Sequence, residues 1–245
     1  MKHKILQGVL SSIAVGGAMA VSGAALAVPT LTVSDGTNSI EITDNGPVSV
    51  SGIVTNPFDD SPELGVVQFD GVLGNWEINI STGETKPLLG TASLPEMHLN
   101  SLNTSNLADG VTETLTVTFS ETDFLGTGRF VTDVGGVTTR GGRGGASSFD
   151  VYVDDGNVLN AMSTSVASLG PFGPGSFSGI MATTPTLSGP YSITQVASIT
   201  HTSDGGRQSS SFDLVTEVPE PATVALLGLG LLGVGAAARR RRGQA

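Results

Sequence analysis

Two histidines, 21 acidic residues and no cysteine dominate the reactive side chains of residues 28–217. His98 lies in Pro95-Glu96-Met97-His98-Leu99, and His201 closes an alternating run that starts at Tyr191. A catalytic histidine needs a nucleophile or metal partner at a defined spacing, and no His-Glu-x-x-His, His-x-x-Glu-His or Gly-x-Ser-x-Gly pattern occurs. Both histidines read as surface or strand-end residues, which leaves a secreted hydrolase as the weakest functional class. Paired carboxylates could cleave glycosides, but with 21 acids such pairs arise by number alone. One Trp and two Tyr also make a poor platform for sugar rings. The densest oxygen groups are Asp150-x-x-x-Asp154-Asp155-Gly156-Asn157 and Asp59-Asp60-x-x-Glu63. Calcium favours such clusters, yet the alternating Asp spacing of a calcium loop is missing, and Asp-Asp-Gly-Asn is more simply a turn. The expectation is no catalytic residue, no cofactor and no metal, with a carbohydrate- or calcium-binding adhesion module as the alternative.

Composition narrows the classes further. Without cysteine there is no disulfide frame, no Cys-ligated zinc and no thiol chemistry. Residues 28–217 carry 21 acidic against five basic residues (Lys86, Arg129, Arg140, Arg143, Arg207). A body that acidic repels phosphate backbones, so nucleic acid is not an expected partner.

The two ends read as addresses. Met1-Lys2-His3-Lys4 precedes an uncharged run from Ile5 to Leu26, with small residues at Ala25 and Ala27. That is the pattern of a secretory signal peptide over 1–27, cut after Ala27 by signal peptidase. At the other end Val218-Pro219-Glu220-Pro221 leads into an uncharged run, Ala222 to Ala238, closed by Arg239, Arg240, Arg241 and Arg242. As a helix, that run reaches about 25 Å at ~1.5 Å per residue, which spans a bilayer core only with local thinning or snorkelling arginines. Four consecutive arginines stay on the cytoplasmic side, so residues 28–217 face outward.

This tail, 218–242, resembles the PEP-CTERM sorting signal of Gram-negative, exopolysaccharide-producing bacteria: Pro219-Glu220-Pro221, a short apolar transmembrane helix and a basic cluster. The resemblance implies recognition by an exosortase, anchoring in the inner membrane before processing, and delivery to the cell surface or the exopolysaccharide matrix. Pro219, Glu220 and Pro221 would then be recognised residues, held extended by the two prolines. The same segment also goes by the name of an ice-binding-protein C-terminal domain. Flat threonine arrays can bind ice, but only Thr114-x-Thr116-x-Thr118 offers three in phase, and one row reads as an exposed strand.

The body that these addresses move is expected to be all-β, an antiparallel sandwich of eight to eleven strands, with a closed barrel as the other architecture. Leu31–Ser34 and Ser39–Thr43 flank Asp35-Gly36-Thr37-Asn38 as a hairpin, and Asn45-Gly46 turns the chain into Pro47–Ser51. Alternation places Trp76, Ile78 and Ile80 on one face, and Leu115, Val117 and Phe119 on another. Further strands are expected at Phe149–Val153, Tyr191–His201 and Ser210–Val215. Two segments read as irregular: 135–145, with six glycines, and 168–190, with five glycines and four prolines. Residues 215–218 read as a linker to the tail.

Overall fold

The structure, a computed structural model, describes residues 28–140, 144–204 and 206–219. The expected signal segment 1–27 with Ala25 and Ala27, most of the sorting motif, the apolar run Ala222–Ala238 and the arginine cluster lie outside the described residues.

Among the described residues, thirteen strands form two antiparallel sheets. In chain order they are β1 (Thr30–Ser34), β2 (Ser39–Thr43), β3 (Val48–Ser51), β4 (Val66–Leu73), β5 (Trp76–Glu84), β6 (Glu96–Ser105) and β7 (Thr112–Phe124). There follow β8 (Phe130–Arg140), β9 (Gly144–Asp154), β10 (Thr164–Phe172), β11 (Gly175–Thr183), β12 (Tyr191–Thr202) and β13 (Gln208–Glu217). One sheet has the order β10-β9-β12-β7-β1-β2-β3, the other β11-β8-β13-β6-β5-β4. The all-β antiparallel sandwich expected from alternation is present, with more strands than the expected eight to eleven.

The expected hairpin forms with Leu31 opposite Ile42 and Val33 opposite Ile40, so all four side chains enter the core. Asp35 builds its turn by accepting hydrogen bonds from the amides of Thr37 and Asn38 at 2.8 and 2.6 Å. Leu115, Val117 and Phe119 of β7 are fully buried. Trp76 and Ile78 are buried too, but Ile80 is not. A bulge between Ile78 and Ile80 shifts the parity, so Ser81 points inward and its hydroxyl meets that of Ser101 at 2.7 Å.

The extra strands come from the two segments read as loops. Gly135 and Gly136 sit inside β8, and 168–190 contains most of β10 and all of β11. Glycine is there for space: a Cβ on Gly136 would lie 2.2 Å from the Ser211 carbonyl oxygen and 2.7 Å from the Phe177 ring. Close approach lets Phe177 stack on Phe172 (4.7 Å, 11° between planes) and both rings reach Phe149. These rings pack together where β10 and β11, the edge strands of the two sheets, meet. On the opposite side the free edge of β4 is covered by residues 55–60. Thr55 N–H donates to Val72 O and Asp60 N–H to Gln68 O, both at 2.9 Å, and the carboxylates of Asp59 and Asp60 accept from the amides of Gln68 and Asp70 at 3.0 Å. Covered edges cannot pair with another chain.

Candidate functional site

The strand β13 alternates without interruption into the tail. Phe212, Leu214 and Thr216 face the core, and Val218, one residue past the strand, continues the phase and is buried. Its amide donates to Pro95 O at 2.9 Å. The stretch 215–218 is therefore not a linker: its first three residues are strand and the fourth is core. The exposed Pro219 follows at once, at the rim of a shallow depression of about 290 Å³ lined by Thr91, Leu94, Pro95, Glu217 and Pro219. The Pro219-Glu220-Pro221 motif thus begins directly after the last buried residue.

The end of the sandwich where this happens is an interlocked platform of loops. Leu125 and Gly126 amides donate to Ala92 O at 2.7 and 3.0 Å, tying the β7–β8 loop to the β5–β6 loop. Tyr191, wholly buried, donates its hydroxyl to Gly126 O. Desolvation pushes that phenol above its ordinary range.

Below the platform lies an ion pair that the alternation contained and the reading of motifs missed. Glu121 extends the inward row Leu115, Val117, Phe119 and is 0% exposed. Lys86 Nζ lies 2.7 Å from Glu121 Oε1, Thr85 Oγ1 donates to Oε2 at 2.6 Å, and the ammonium also donates to Thr122 O at 2.6 Å. It sits 4.0 Å from the Phe124 ring centroid. Desolvation outweighs these partners and raises the Glu121 pKa to about 7. The available signal was arithmetic: Glu121 occupies a core position, and Lys86 is the only lysine in 28–217.

His201 is a correction. It is not a surface strand end but fully buried, because β12 continues the inward phase of Ala197 and Ile199. Nδ1 lies 2.7 Å from Ser105 Oγ and Nε2 2.7 Å from Ser210 Oγ, so a ring from one sheet bridges two serines of the other. The imidazole packs on Trp76 with centroids 4.6 Å apart. Burial lowers its pKa to about 4, so it is neutral at physiological pH. Both serines bind a ring sealed from solvent, an arrangement that ties sheets together and offers substrate no access. His98 is partly exposed on the outer face of β6, its two nitrogens taken by Glu84 (3.3 Å) and Asp213.

The oxygen clusters are likewise engaged. Asp154 accepts from Ser163 Oγ and then Val158 N–H, which lowers its pKa, and Asp155 accepts from Ser188 N and Oγ at 3.1 and 3.0 Å. Asp59 and Asp60 serve the β4 edge. Among the described residues no group of three or more His, Asp or Glu converges on a metal-sized space. The threonine row of β7 has more company than expected, since Thr112 and Thr114 pair with Thr202 and Thr200 of β12 at 2.9 and 2.8 Å between hydroxyls. Val196 and Ser198 interrupt the second row.

The family comparison decides the tail. Residues 217–242 match the PEP-CTERM protein-sorting motif. The PEP-CTERM match takes in Glu217 of β13, the buried Val218 and the tail, and leaves the rest of the sandwich outside it. The motif implies export, membrane anchoring before processing, and processing by an exosortase. A search of curated proteins gives no match. Among solved structures the chain is similar to TmCBM61 in complex with β-1,4-galactotriose, at 10% identity and a TM-score of 0.29, over 60% of this chain and 90% of that one. It is also similar to the K1 cleaved adhesin domain of Lys-gingipain from Porphyromonas gingivalis W83, at 13% identity and a TM-score of 0.26, over 66% and 95% of the two chains.

Proposed function

We propose that the protein is a non-enzymatic component of the cell surface or exopolysaccharide matrix of a Gram-negative bacterium. It is exported by a signal peptide cut after Ala27, held in the inner membrane by Ala222–Ala238 with Arg239–Arg242 on the cytoplasmic side, and then processed at or near Pro219-Glu220-Pro221 by an exosortase. The observation that carries this reading is the sorting motif following directly on the last core residue of the sandwich. Cleavage after Ala27 would leave Val28 and Pro29 ahead of β1. The non-enzymatic part is supported by the engagement of its candidates: His201 is sealed between serines, His98 between carboxylates, and the aspartates hold turns and an edge.

The buried Val218 fixes how this should be tested. Truncation after Pro219 removes the sorting tail and spares the core. In the native host that truncated chain is expected to cross the inner membrane and fail to reach the surface, as read by fractionation and protease accessibility. Surface delivery equal to that of the full chain would defeat the sorting assignment.

A further inference from the structure

We infer that the tail-bearing end of the sandwich is a membrane-facing surface: while the chain is anchored, the loops carrying Leu88, Leu125, Val158 and Met162 rest in the headgroup layer of the bilayer. This rests on the proposal that Ala222–Ala238 spans the membrane, and adds the orientation of the body and its lipid contact.

The tether sets the distance. From Pro219 to Ala222 there are three residue steps, which reach about 11 Å at most at ~3.3–3.6 Å each. The polar layer of one leaflet is itself about 5–8 Å thick. A folded end held on so short a tether touches the headgroups, since Pro219 follows a buried residue and cannot pay out further chain.

Topology brings the loops to that end. Glu217 of β13 pairs with Glu96 at the start of β6 and with Val131 at the start of β8, and β12 begins where β7 and β9 finish. The β5–β6, β7–β8 and β9–β10 loops therefore surround the exit point, and Val28, where the described chain starts, lies at the same end through the pairing of Thr30 with Ser120. Their tips are apolar and wet: Leu88 is 50% exposed, Leu125 53%, Val158 57% and Met162 52%. Apolar side chains of this kind gain from the boundary between headgroups and acyl chains. The loops are braced against one another, Ala92 holding Leu125 and Gly126, and Asn157 Nδ2 donating to Asp123 Oδ1 at 2.6 Å, so the tips act as one surface. The opposite end also exposes Ile53 and Val111, so exposed apolar residues alone do not choose between the ends; the tail, attached at Pro219, does. With Glu63, Asp123, Asp155 and Glu217 all exposed at this end, the fitting lipid is zwitterionic rather than anionic.

The absence of cysteine allows a clean test. Full-length chain carrying Leu88→Cys, Leu125→Cys or Val158→Cys is labelled with a fluorophore and reconstituted in phosphatidylcholine vesicles containing a headgroup nitroxide lipid. Thr37→Cys and Asp109→Cys mark the opposite end. Quenching several-fold greater at the tail end than at the opposite end is expected, and adding Leu88→Asp with Leu125→Asp should reduce it at Val158→Cys while circular dichroism stays unchanged. Protein that floats with vesicles but quenches equally at both ends overturns the orientation and leaves anchoring intact. Protein that does not float with vesicles overturns anchoring and the orientation with it.

Discussion

Replacing Glu121 with Gln should make stability rise with pH relative to the parent between pH 4.5 and 6.5. Two fully buried groups titrate in opposite senses. His201 has a folded pKa of about 4 against an ordinary 6.5, so below pH 6.5 the unfolded chain takes a proton that the folded chain refuses, and stability falls with falling pH. Glu121 has a folded pKa of about 7 against an ordinary 4.5, so above pH 4.5 the unfolded chain loses a proton that the folded chain keeps, and stability falls with rising pH. Each contributes a slope of about 1.4 kcal/mol per pH unit, with opposite signs between the two ordinary values, where they cancel. Gln retains an oxygen for the Thr85 hydroxyl and removes the titration. Stability of Glu121→Gln relative to the parent should therefore rise by about 2–3 kcal/mol from pH 4.5 to pH 6.5. Urea unfolding of residues 28–219 at several pH values measures it, and subtracting the parent removes every other titrating group. His201→Gln should show the opposite trend against the parent. A variant-minus-parent difference independent of pH in that range would refute the reasoning.

Other substitutions test the packing. Gly83→Ala places a Cβ 2.3 Å from the Phe119 ring and should cost about 1–3 kcal/mol by overpacking, read as a lower urea midpoint. An unchanged midpoint would mean that β5 and β7 are further apart than described. Asp59→Ala with Asp60→Ala removes two acceptors from the β4 edge, so the variant should aggregate faster under partial denaturation, measured by light scattering. Truncation before Val218 should destabilise the body by about 1–2 kcal/mol relative to truncation after Pro219, since it removes a buried side chain and its backbone hydrogen bond. Equal midpoints for the two truncations would return Val218 to the linker.

How much of this was legible in the sequence depended on the range of the interaction. Asp35-Gly36 and Asn45-Gly46 announced their turns because turn chemistry is local, and Leu115, Val117 and Phe119 announced a core strand by period two. The bulge at Ile78–Ile80 left no local mark, so parity was lost there. Glycine in β8 and β11 masked strands because the same residue serves a loop's freedom and a sheet's close contact; only the position of Phe177 separates the two. His201 was legible in principle, two residues beyond Ile199 and in its phase, but the end of a run looks the same buried or exposed. The Lys86–Glu121 pair joins residues 35 apart in sequence, and only the stacking of sheets brings them together. The sorting motif was legible because its recognition is linear, while its seat on a buried valine depended on the register of β13 with β6.

The central claim, that a folded sandwich is delivered outward and released from its anchor at the motif, is tested most directly by the intact mass of the protein recovered from outside its native cells. A species beginning at Val28 and ending at or near Pro219–Pro221 is predicted. A species that retains Ala222–Ala245 would contradict the account, and the tail would then be a permanent anchor.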